Sequence, residues 1–290
     1  MPHLSHWSRS VRLAFWRAFE HDAFAVAKGA AYSSILSIFP VLLVVASVLA
    51  YSHHTQQYVG EIADAVGKIL PPGTSYTTQI YFQKAQQRPA GVLITTSLLT
   101  LWTASGVVIS WMDGFRRAYA LPKTWGVVKE RLIAFALVIL AGIPLTFATL
   151  LVAFGNQIER WMMYRAGHEF GPYILLVWLS LRWLIAILTS VAVIALIYHN
   201  AVPRTQPWHS VLPGAVLATV LWFSATMLFG WYVSNYAEYS LIYGALAAAI
   251  VLLVWLFIIS VIVLVGAEYN ALLFPRCAAA DRAESKVAVA

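Results

Sequence analysis

Apolar positions along this chain run on rather than alternate. Residues 29–60, 89–112, 132–158, 205–237 and 239–267 hold no Asp, Glu, Lys or Arg, and 170–203 is broken only by Arg182. A run of about 20 apolar residues spans the roughly 30 Å hydrocarbon core as a helix. A helix also satisfies its backbone N–H and C=O groups internally, as that core requires. The pattern predicts an all-α, polytopic membrane protein with six transmembrane helices, at about 30–51, 91–112, 132–154, 174–198, 211–233 and 243–267. Ahead of them, Leu4, Trp7, Val11, Phe15 and Ala18 recur at helical spacing, with Arg9, Arg17 and Glu20 on the other side. That spacing predicts an N-terminal amphipathic helix over 4–24, lying on the anionic inner leaflet.

Between the first two spans, loop 52–90 is too long for a simple turn. Val59, Ile62, Val66 and Ile69 make one helical face that Pro71-Pro72-Gly73 ends, and a second short helix follows through Tyr76, Ile80 and Lys84. These short helices in the first outer loop are expected to cap the bundle.

Composition narrows the picture. With 61% hydrophobic and 11% charged residues in 290, no stretch is left for a separate soluble core, so 1–290 reads as a single membrane domain. The net charge of +7 would suggest nucleic acid for a soluble chain, but here it sorts by loop. The N-terminal segment, 113–131, 199–210 and the tail hold 13 Lys and Arg, against five in 52–90, 155–173 and 234–242. The positive-inside rule then puts both termini, including a tail at 268–290, in the cytoplasm. Cys277 is the single cysteine, which excludes an internal disulfide framework.

Polar chemistry within the spans is sparse, which makes it informative. Arg182 stands about eight residues into span four, roughly 12 Å deep at the usual helical rise. A charge there costs at least ~2.5 kcal/mol and must be compensated. A water-filled cavity, a loop carboxylate, helix carbonyls or an anionic ligand would serve, as would snorkelling to the outer boundary. Ser33 and Ser37 share a face of span one with Gly29 and Pro40, and Thr100 and Thr103 share one of span two. These four hydroxyls are candidates for lining a polar route, against ordinary helix packing. Lys28, Asp113 and Glu268 fall at the inner boundary and are candidates for a cytoplasmic gate, with Lys28–Glu268 the expected ion pair. No phosphate-binding glycine loop, nucleophile elbow or metal-ligand spacing is present. The chain is therefore not expected to be an enzyme, nor to need a cofactor or metal or bind nucleic acid.

The segments AAYSSILSIFPVLLVVASVLA at 30–50, PGAVLATVLWFSATMLFGWYV at 213–233 and YGALAAAIVLLVWLFIISVIVLVGAEYNALL at 243–273 resemble signatures of the YihY/BrkB family of bacterial inner-membrane proteins. Trp111, Asp113, Arg116 and Tyr119 look like that family's segment after span two. AEYNALL stands where the family more usually has AELNA, and YGALAAA where it has YGSLGAV. The resemblance implies a six-helix protein of the cytoplasmic membrane. Family members have carried both a ribonuclease label, at odds with the residues here, and a virulence label. The leading expectation is transport of an anionic lipid or lipid-linked envelope precursor, with membrane lipids as partners. The alternative is a noncatalytic organiser that binds envelope proteins.

Overall fold

A computed structural model describes residues 2–50, 80, 89–203, 206–236 and 245–275. Six helices make up its described elements: α1 Pro2–Glu20, α2 Ala23–Leu49, α3 Pro89–Ala118, α4 Val127–Asn200, α5 Trp208–Tyr236 and α6 Ala245–Leu273. The short helices expected in loop 52–90, residues 237–242 of the expected loop 234–242 and the expected tail from 276 lie outside the described residues. Six segments are long and apolar enough to cross a membrane: Ala23–Val48, Ala90–Ala118, Val127–Leu151, Val177–Asn200, Trp208–Tyr232 and Ala249–Leu273. The count of six agrees with the charge pattern.

Exposure in these helices inverts the rule for soluble proteins. Ile94, Leu98 and Trp102 on α3, and Ile139, Ile143 and Phe147 on α4, are exposed at four-residue spacing. Facing inward instead are small residues, such as Ala134, Ala141 and Ala148 at seven-residue spacing. Lipid is as apolar as leucine, so large side chains gain nothing by turning inward, while alanine lets helices pack closely.

One helix departs from the expected layout. Residues 155–173, expected as a loop, are helical throughout, and spans three and four belong to the single helix α4. Arg116 pairs with Glu130 near the start of α4, and the neighbouring Phe115 ring meets Tyr198 near its end at 5.2 Å. On a straight helix Glu130 and Tyr198 would stand roughly 100 Å apart. The helix therefore folds back on itself, and its two limbs return to the same pair of residues.

Two backbone positions set the entries to these elements. Asp22 adopts φ 57 between α1 and α2. Ala120 adopts φ 52 just past α3, where Leu121 N–H donates to the Arg116 carbonyl at 2.8 Å and Ala120 N–H to that of Arg117 at 3.0 Å. That is a Schellman cap, with alanine at the left-handed position glycine usually fills. It fixes how the chain leaves α3 after Arg116.

The chain packs as two compact units: Met1–Ala18, Phe115–Leu221 and Val265–Ala290 form one, and Phe19–Gly114 and Trp222–Leu264 the other.

Candidate functional site

In the first unit, polar side chains gather where α3 ends, α4 begins and ends, α5 begins and α6 ends. Arg116 donates to Glu130, both side chains being buried, and Lys123 Nζ stands 3.6 Å from the other Glu130 oxygen at the solvent edge. His199 closes α4 by meeting the Gln206 carbonyl through Nδ1, and its ring stacks on Trp208 at 4.3 Å. Asn270 clamps the first turns of α5: Gly214 N–H donates to its Oδ1 at 2.6 Å, and its Nδ2 donates to the Val211 carbonyl at 3.0 Å. Pro213, between those two positions, has no N–H of its own to give.

Two glycines let this layer close. A Cβ on Gly214 would collide with the Gly266 carbonyl and the Asn270 amide, and one on Gly266 with the Tyr198 hydroxyl. The backbones of α5 and α6 thus approach more closely than alanine would allow. Tyr198, Glu268 and Asn270 are each at most 2% exposed in this layer. Burying that many polar groups is tolerable only where most find partners, as Arg116, Glu130 and Asn270 do.

Arg182 also belongs to the first unit, and at 8% exposure it is enclosed by protein. Snorkelling to bulk solvent is therefore not its state. Counted back from His199, it lies about 26 Å along the helix, near the Val177 end of the span Val177–Asn200. A guanidinium carries five N–H donors in a planar fork, a geometry that matches a carboxylate or a phosphate.

The second unit holds the remaining expected residues. A Cβ on Gly106 would sit 3.0 Å from Ser33 Oγ, so α2 and α3 are in close contact there. Ser37 donates to the Ser34 carbonyl at 2.7 Å, and Thr103 to those of Leu99 and Thr100 at 3.0 and 3.2 Å. Both hydroxyls are thus spent on their own helices, as bland packing requires. Thr100 differs: its Oγ1 is enclosed and, among the described residues, has no hydrogen-bond partner. Trp111 Nε1 is in the same condition on the same helix. Their separation of eleven positions is close to three full turns, so both fall on one face of α3.

The expected site residues are therefore divided. Arg182 and Glu268 lie in the first unit; Lys28, Ser33, Ser37, Thr100, Thr103 and Asp113 lie in the second. Of the expected Lys28–Glu268 pair, Lys28 is exposed on α2 and Glu268 is buried on α6. Sequence reasoning missed Arg116–Glu130, Tyr198 and Asn270. The available signals were the lone acid among the basic residues of 116–131 and an asparagine inside an apolar helix. Among the described residues, no three His, Cys, Asp or Glu gather as a metal site would require.

A family model described as virulence factor BrkB matches residues 14–289. A UPF0761 membrane protein of Tolumonas auensis is 30% identical over 92% of this chain and 86% of its own length. The putative ribonuclease-like protein YfkH of Bacillus subtilis is 28% identical over 88% of this chain and 92% of its own. A UPF0761 membrane protein of Chlorobium phaeobacteroides is 27% identical, and this chain spans only 55% of its length. No solved structure matches.

Proposed function

Because this chain belongs to the BrkB family of multi-pass membrane proteins, we propose that it moves an anionic amphiphile across the bacterial cytoplasmic membrane, with both termini inside. The cargo would be a phospholipid or a lipid-linked envelope precursor. One observation carries the reading: Arg182 is enclosed within an otherwise uncharged span. Such a charge is costly in hydrocarbon and is characteristic of a substrate pathway. A phosphate headgroup offers it the bidentate partner a guanidinium binds best. Within the second unit, Thr100 with its enclosed hydroxyl is the candidate polar contact; Ser37 and Thr103, bonded to their own backbone, support the reading less.

The test is leaflet exchange of a fluorescent phosphatidylglycerol in liposomes holding the purified protein. Arg182→Gln should slow exchange at least about tenfold, the worth of one charge-assisted hydrogen bond, and Arg182→Lys by less. Equal exchange with and without protein would remove the activity.

The organiser reading keeps one specific support, the close contact of α2 and α3 at Ser33 and Gly106. It requires instead that crosslinking capture a stoichiometric envelope protein and that Arg182→Gln alter stability alone.

A further inference from the structure

The outward face of α1 mixes two chemistries that rarely share a solvent-facing surface. Ala14 and Ala18 turn inward and hold the helix to the protein, while Trp16 and Phe19 are 63% and 65% exposed and Leu13 is exposed beside them. Arg9, Arg12 and Arg17 are exposed as well. The acids near this helix, Glu20 and Asp22, both stand at its C-terminal end. The aromatic surface does not stop with the helix. The Phe19 ring meets Phe24 edge-on at 5.9 Å, and Phe24 meets Phe257 of the sixth span at 6.1 Å. An exposed ring on α1 is therefore continuous with rings on a membrane span.

From this geometry we infer that α1 is a recognition element for anionic lipid, lying in the headgroup layer with Trp16 and Phe19 sunk toward the acyl chains and Arg12 and Arg17 on phosphate. The occupant is the bilayer surface itself, chosen over a protein partner on two grounds. Three exposed arginines complement the negative charge of the cytoplasmic leaflet, and the aromatic row runs unbroken onto a membrane-spanning helix. The face expected from sequence spacing is divided, with Ala18 buried and Phe15 exposed. The lipid-facing rings are Trp16 and Phe19, with Arg12 between them on the same face and Arg17 at its flank. This inference rests on the proposed placement of the N-terminus inside, and not on the transport activity.

The test uses the full-length protein with Cys277→Ser and Trp16→Cys, carrying an environment-sensitive fluorophore at residue 16. It is reconstituted into vesicles of phosphatidylcholine alone or with phosphatidylglycerol added. Access of a water-soluble quencher should fall at least about twofold in the anionic vesicles, since each arginine near such a surface contributes about a fivefold preference. High salt should erase the difference by screening. Arg12→Gln with Arg17→Gln should erase it too, whereas Arg12→Lys with Arg17→Lys should keep it. Equal quenching in both compositions, or loss in the lysine variant as well, overturns the inference. A second measurement does not need the labelled variant. Phosphatidylglycerol copurifying with the unlabelled protein should be enriched over the membrane's own content, and the glutamine variant should lose that enrichment. Failure of leaflet exchange alone leaves both readouts standing, so the two proposals fail separately.

Discussion

Arg116 and Glu130 form the pair with the largest consequence for stability. Both side chains are buried, and the two charges meet directly. Removing one partner strands a charge, which typically costs about 3–5 kcal/mol, while replacing both with apolar residues is often close to neutral. Arg116→Met and Glu130→Leu should each lower the unfolding midpoint in detergent sharply, and the double variant should recover most of the loss. A double variant as unstable as the sum of the singles would show that the two act independently. Lys123, at the solvent edge of the same carboxylate, should matter far less, as exposed pairs generally do.

Among the elements, α4 carries the sharpest expectation. Spin labels at Leu132→Cys and Ala192→Cys, exposed positions on the two limbs, should lie within about 40 Å of each other. A straight helix would hold them roughly 90 Å apart. A measured distance near the longer value would refute the folded-back form.

This element also marks where the sequence stops being readable. Long uncharged runs are a one-dimensional signal, so the six spans were legible without knowing any contact. Residues 155–173 carry Glu159, Arg160, Arg165, Glu169 and a Gly-Pro step, which read as a loop; that they stay helical depends on surroundings no spacing rule encodes. The hydroxyls on α2 and α3 were visible, but not their use. Ser37 and Thr103 bond their own backbone and Thr100 does not, although all three sit in similar apolar sequence. The Arg116–Glu130 pair was hidden for another reason: its members flank a turn whose geometry is set by the left-handed backbone at Ala120.

At the scale of the whole molecule, the basic residues are expected to face the cytoplasm. In intact cells, a membrane-impermeant thiol reagent should label a cysteine placed at Ser52 of the first outer loop and leave Cys277 untouched; the opposite result would invert the topology. The Asn270 clamp has a consequence here that reaches beyond its own contacts. It ties α6 to the start of α5, yet it lies in the last turn of α6. A premature stop at codon 270 would remove only the last turn of α6 from the described helices and still unfasten α5 from α6. A stop placed just after Pro275 would keep the fastening. Tolerance to truncation should therefore change abruptly over a handful of codons.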